Sequence, residues 1–205
     1  MGQELEFKLA VPDTRVLEAI LFDKEVAAVR QENYVLYDMA TIYYDTEDRA
    51  LSAKKWTLRL RQENFDLIAT VKTPAGEDCV RGEWSCPAQT IEDAIPVLVE
   101  QGAPKALAVL TVKGVRPLCL ARFSRRAAEV KFADGTVCEL AGDVGVVAAG
   151  GNERPICEVE VELKEGNAQV AKAFAEELCD RFGLKEEPLS KFQRAASLMD
   201  NECIG

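Results

Sequence analysis

Glu4, Glu6 and Lys8 alternate with Leu5, Phe7 and Leu9. In a β-strand, residues i, i+2 and i+4 share one face. A strand here would set two carboxylates about 7 Å apart, at roughly 3.3 Å per residue, with an ammonium beside them. Like charges this close repel unless water or a cation neutralises them. The chemistry open to such a row is the capture of a cation by carboxylate oxygens. For this strand alone a solvated charged face is the other reading, since antiparallel sheets often wet one side.

The pattern recurs. Glu158, Glu160, Glu162 and Lys164 share one parity, with Cys157, Val159, Val161 and Leu163 on the other. Arg59 and Arg61 oppose Leu58 and Leu60, Thr70 aligns with Lys72, and Arg81 aligns with Glu83. Several strands thus carry an apolar face and a face of paired charges, sorted into acidic and basic sets. Sorted charges suggest a polar cavity lined from many strands, and a barrel has that geometry because interior and exterior positions alternate along each strand.

Composition narrows the chemistry. The chain has no histidine, which excludes Ser-His and Cys-His nucleophiles and imidazole metal sites. Carboxylate ligands favour Mg²⁺, Mn²⁺ or Ca²⁺ over zinc or copper. No Walker A loop and no Gly-x-Gly-x-x-Gly occurs, so phosphate recognition would fall to side chains. The net charge of −10 argues against general nucleic-acid binding, which needs a basic footprint. The seven cysteines are scattered without metal or redox spacing, as in a reducing cytoplasm. No run of about 18 apolar residues is present, so no membrane span is expected. The acidic, strand-like N-terminus is unlike a signal peptide. The length of 205 residues suits one domain with a real core.

The elements that must position these groups follow from periodicity and punctuation. A helix is expected over residues 12–22, and a long strand over 26–39 running on into 42–46. Thr46 can cap a short helix. Strands over 55–63 and 66–74 form a hairpin about Asn64, and a further strand covers 79–87. Helices at 91–101 and 104–110 interrupt the strands. Strands resume at 115–131 and 135–148 around Ala133-Asp134-Gly135, then at 155–164. An amphipathic helix spans 167–182 and stops at Gly183, and Ser190 caps a last helix. Many consecutive strands with helices at the edges make an α+β domain on a large antiparallel sheet.

Several blocks in this order resemble the CYTH domains, the triphosphate tunnel metalloenzymes. They are Glu4-x-Glu6-x-Lys8, Tyr43-Tyr44-Asp45-Thr46, Leu58-Arg59-x-Arg61, Thr70-x-Lys72, Arg81-x-Glu83, Phe123-x-Arg125, Glu139 with Asp143-x-Gly145, Glu158-x-Glu160-x-Glu162-Leu163 and Leu189-Ser190-Lys191. The nearest similarity is to the bacterial inorganic triphosphatases, which often carry a CHAD domain C-terminal to this segment. Residues 1–200 would form the CYTH domain and 201–205 a tail or the start of a linker. Two positions depart from the pattern: Arg194-Ala195, where relatives often have Arg-Gly, and Ala127-Ala128, where a tryptophan is common.

The resemblance implies a closed antiparallel β-barrel of about eight strands, narrow enough to hold one small ligand. It implies a triphosphate inside, and polyphosphate as a further ligand. Lys8, Arg59, Arg61, Lys72, Arg81, Arg125, Lys191 and Arg194 would meet its oxygens. Glu4, Glu6, Asp143, Glu158 and Glu160 would hold Mg²⁺ or Mn²⁺. The reaction implied is attack of water on a terminal phosphorus, with Glu4, Glu6 and Lys8 in the catalytic set and Glu83 and Glu158 as candidate bases. The alternatives are hydrolysis of thiamine or nucleoside triphosphates, cyclisation of ATP, and a non-catalytic polyphosphate-binding module. Tyr43 and Tyr44 read as structural, Glu162 and Lys164 as charges at the tunnel mouth, and Glu186-Glu187 as surface or cap charges.

Overall fold

The computed structural model describes residues 5–75 and 81–199. Glu4, Cys79, Cys203, the glycine at 76 and the expected tail over 201–205 lie outside them. The alternating residues after Glu4 form β1 (Leu5–Ala10). Asp13 then caps α1 (Thr14–Leu21), its carboxylate accepting from the Arg15 and Val16 amides at 2.8 and 3.0 Å. Asp23 caps α2 (Lys24–Val29) in the same way.

α2 corrects the expectation of a strand over 26–39: the next strand, β2, runs Val35–Asp45. The valines at 26 and 29 favour a strand. The Asp23 cap and the burial of Val26 against the core outweigh that preference. After β2 come α3 (Ala50–Ala53), β3 (Thr57–Glu63), β4 (Asp66–Ala75) and β5 (Arg81–Pro87). The β3–β4 hairpin turns at Asn64, whose φ of 54° is the left-handed conformation asparagine tolerates. Helices α4 (Ile91–Glu100) and α5 (Ala106–Leu110) precede three long strands, β6 (Arg116–Lys131), β7 (Val137–Ala149) and β8 (Asn152–Glu165). The chain closes with α6 (Ala168–Phe182), β9 (Lys185–Glu186) and α7 (Lys191–Ala196).

All nine strands join one antiparallel sheet in the order β5-β4-β3-β2-β6-β7-β8-β1-β9. The sheet is not the closed eight-stranded barrel the resemblance implied, because β5 and β9 are free edges among the described residues. The physical reason is β9, whose two residues pair with Leu9 and Ala10 and offer no ladder long enough to bridge to β5. Twist along the long central strands still curls the sheet about its polar face, so that β1 and β4 line one cavity.

Three apolar clusters follow from the alternation. Val159 and Val161 of β8 turn outward to meet Leu17, Ile20 and Leu21 of α1 and Phe174 and Leu178 of α6. Leu58 and Val71 meet Ile91, Ile95 and Leu98 of α4. The third cluster lies inside the curl, where Phe192 and Ala195 of α7 pack on Met39, Tyr43, Cys119 and Phe123. Gly145 lets β7 approach β6 there: an added Cβ would stand 2.1 Å from the Arg122 carbonyl oxygen.

Candidate active site

Pairing register carries the charged residues onto one concave face. Lys8 lies opposite Glu160 and Glu6 opposite Glu162. Asp143 lies opposite Glu158 on one side and Arg125 on the other. Tyr37 continues the row from Arg125, Thr41 lies beside Arg61, Tyr43 beside Arg59, and Thr57 beside Lys72. Glu6, Lys8, Arg59, Arg61, Lys72, Arg125 and Glu160 among them line a cavity of about 600 Å³. On β1 and β8 each inward charged residue is followed by an outward apolar one, so core formation by the outer face obliges the charged face to point in.

The deepest part is acidic. One carboxylate oxygen from each of Asp143, Glu158 and Glu160 lies within 4.8 Å of the others, and all three residues are buried. Four cations answer them. Arg125 binds Asp143 with both arms of its fork, at 2.8 Å each, and also touches Glu160. Lys191 Nζ lies 2.7 Å from Asp143 and 2.8 Å from Glu160, and touches Glu158. Arg194 touches Glu158 through its other oxygen. Lys8 bridges Glu6 at 3.0 Å and Glu160 at 3.8 Å.

The electrostatics follow from burial and these pairings. Burial opposes the Glu160 charge, but Lys191, Arg125 and Lys8 outweigh it and hold its carboxyl well below the usual range. Burial likewise opposes the Lys191 ammonium, and Glu160, Asp143 and Glu158 together hold it above its ordinary value. Arg125 is raised in the same manner against burial. Glu6 goes the other way: burial and the charge of Glu160 raise its carboxyl despite Lys8.

The opposite wall is cationic. Arg61 Nε donates to Thr41 Oγ1 at 3.0 Å, and its nearest carboxylate is Glu63 at 3.7 Å. Burial, Arg59 and Arg125 push its guanidinium down to about 10. Arg59 Nε is buried without a hydrogen-bond partner. Lys72 pairs with Glu83 of β5 at 2.8 Å. Positive charge held in a polar cavity with so little compensation is arranged for an anion.

The structure gathers Glu6, Lys8, Arg59, Arg61, Lys72, Arg125, Glu160 and Lys191 around the cavity. Asp143 and Glu158 lie behind them with no exposed surface, and Arg194 is buried beside Glu158. Glu83 stands at the β5 edge, beyond Lys72. Arg81 opens β5, and Glu4 lies outside the described residues. Arg125, Lys191 and Arg194, expected on phosphate oxygens, here hold carboxylates. Glu162 and Lys164 pair at 2.8 Å on the cavity wall. Tyr43, read as structural, both lines the cavity and packs against Phe192 at 5.1 Å between ring centroids. Thr41 escaped the sequence reading, although its parity with Met39 and Tyr43 places it on the inward face. Glu187, read as a cap or surface charge, accepts from the Leu189 amide at 3.0 Å and lies 3.7 Å from Arg194.

The donor set fits a hard divalent cation. It is made of carboxylate oxygens alone, and the buried Glu158 Oε1 has the Lys191 ammonium against it. Asp143, Glu158 and Glu160 are the described residues that could hold such an ion together, with Glu6 adjacent across β1.

Comparison with known proteins gives the same direction. The chain is 32% identical over 181 residues to the inorganic triphosphatase of Haemophilus influenzae, covering 87% of this chain and 50% of that protein. It therefore spans about half the length of that curated relative. Its fold resembles the Hippeastrum protein HpAC1, described as having a dominant triphosphatase activity (TM-score 0.61, 18% identity, 95% of this chain and 96% of that one). It also resembles the PH1819 protein of Pyrococcus horikoshii (TM-score 0.54, 17% identity, 97% and 99%). The model of the CYTH domain matches residues 2–196, and with these charged strands in its order the chain belongs to the CYTH domain family.

Proposed function

We propose that this chain hydrolyses inorganic triphosphate to pyrophosphate and phosphate, with Mg²⁺ or Mn²⁺, inside its charged cavity. The observation that carries the reading is a pair of opposed walls in one cavity: Arg59 and Arg61 on β3, and Glu6 and Glu160 on β1 and β8. The name of the Haemophilus relative supports the same substrate.

In this reading Arg59 and Arg61 take phosphate oxygens with planar forks, and Lys72 adds a point charge. An anion there relieves the burial that depresses Arg61. Lys8 stands between Glu6 and Glu160 and orients both. These carboxylates would hold a divalent ion, which would supply Lewis-acid chemistry for phosphoryl oxygens and water. Of the two candidate bases, Glu158 is sealed behind Lys191 and Arg194 and acts through its charge. Glu83 stays partly exposed beside Lys72 and would be the carboxylate to accept a proton from water. The free cysteines at 86, 119, 138, 157 and 179 fit a reducing cytoplasm.

The test is phosphate release from tripolyphosphate, ATP, thiamine triphosphate and pyrophosphate, each with Mg²⁺, with Mn²⁺ and with chelator. Tripolyphosphate should be the preferred substrate, and chelator should abolish turnover. Preference for an organic triphosphate, or no release with either metal, refutes the reading.

A further inference from the structure

Lys191 stands where an ion shared by the acidic triad would have to stand. Its Nζ meets one oxygen of Asp143 at 2.7 Å, one of Glu160 at 2.8 Å and one of Glu158. Three carboxylate oxygens match the three N–H donors of an ammonium. Each carboxylate of the triad moreover already meets a cation at close range: Asp143 and Glu160 meet both Arg125 and Lys191, and Glu158 meets Lys191 and Arg194. A divalent ion added while Lys191 stays would set two cations against the same three buried oxygens, and their repulsion in a buried site strongly disfavours that.

Lys191 also has a second place to go. It lines the cavity, and it is delivered by a short helix rather than by the sheet. Phe192 and Ala195 anchor that helix by apolar packing, and a Ser190–Gln193 capping box holds its first turn. Its ammonium, 4.7 Å from the centre of the Phe123 ring, is carried on a flexible four-carbon stem, and a turn of that stem towards a cavity anion would leave the Phe192 and Ala195 anchors of α7 in place.

From this geometry we infer that Lys191 is the resident cation of the Asp143–Glu158–Glu160 triad and excludes free divalent metal until an anionic phosphate draws it away. Metal and phosphate then load together, because the phosphate supplies the negative charge that the ion and the released ammonium need. The inference rests on the reading of the cavity as a metal-assisted phosphate site. Lys191 acts here as a positioning residue.

The experiment is titration of Mn²⁺ alone, without phosphate, into wild type, Lys191→Met and Lys191→Arg, following bound ion by electron paramagnetic resonance. Removing the competing cation should tighten Mn²⁺ binding by about 100-fold in Lys191→Met, whereas Lys191→Arg should stay as weak as wild type. If Lys191→Met does not fold in the absence of metal, Mn²⁺ added during refolding should restore it. Mn²⁺ affinity in Lys191→Met equal to wild type, or an unfolded variant that Mn²⁺ leaves unfolded, overturns the inference. Tripolyphosphate turnover by the wild type is measured in parallel. Turnover with equal Mn²⁺ affinities sinks the inference alone, while absent turnover with a tightened variant sinks the hydrolase reading and leaves Lys191 as the guard of a metal site.

Discussion

Replacing Arg61 with methionine should stabilise the ligand-free protein and at the same time remove its affinity for triphosphate. Burial, Arg59 and Arg125 take the Arg61 guanidinium from its ordinary value down to about 10. At roughly 1.4 kcal/mol per pKa unit, that disfavours the charged side chain by about 3 kcal/mol. Little of this needs discounting for solvent, since the Arg61 side chain is 13% exposed. Against it stands the hydrogen bond to Thr41, worth about 1 kcal/mol, so Arg61→Met should gain on the order of 2 kcal/mol. The sign with pH is set by a folded value lying below the unfolded one. The cost of Arg61 is present in full below about pH 10 and fades as pH rises from there towards the ordinary guanidinium value. Urea unfolding of both proteins at neutral pH, without metal or phosphate, reads the difference as a shift in midpoint at constant slope. Adding tripolyphosphate should reverse the order, because only the wild type gains stability from binding. A variant less stable than wild type by more than about 1 kcal/mol without ligand would refute the account, since it would show that the cationic wall is compensated in the resting protein.

Other substitutions probe the remaining parts. Glu160→Gln leaves Lys191 and Arg125 short of a buried counter-charge and should cost about 3–5 kcal/mol in denaturant unfolding. The folded value of Glu160 is depressed, so its contribution is present above the ordinary carboxylate range and is lost as pH falls through the folded value. The stability of Glu160→Gln should therefore fall less steeply with acidification than that of wild type. Asp45→Asn should cost about 2–3 kcal/mol with unchanged affinity for tripolyphosphate. The Asp45 carboxylate accepts from the Leu51 and Ser52 amides at 2.9 and 3.0 Å and shapes the turn into α3 rather than the cavity. Gly145→Ala drives a methyl against the Arg122 carbonyl and the Phe123 backbone, and thermal unfolding should show a loss of about 3 kcal/mol or more.

Much of the sheet was legible because period-2 alternation is a local property. Val159 and Val161 had to enter a core, so Glu158 and Glu160 had to face away from it. The caps were equally local: Ser190 before Lys191 and Gly183 after α6 act within one turn of chain. The strand expected over 26–39 holds from Val35 onward, and its start is a helix instead because two valines at strand-friendly positions hid an aspartate cap two residues upstream of Glu25. Thr41 was passed over because a hydroxyl carries no charge pattern, although its parity marked it as inward.

The sequence by itself determined which faces are charged, the order of the strands along the chain and the chemistry the cavity could hold, since each depends on neighbours a few residues apart. Only the tertiary structure decided that the sheet stays open, because closure turned on the two-residue length of β9. It also decided how the charges pair. Lys191 meets Glu160 across 31 residues of chain, and it does so because Phe192 and Ala195 seat α7 inside the curl. Charge type is written in single residues, whereas the partner of each charge is settled by long-range packing that brings one helix into the sheet.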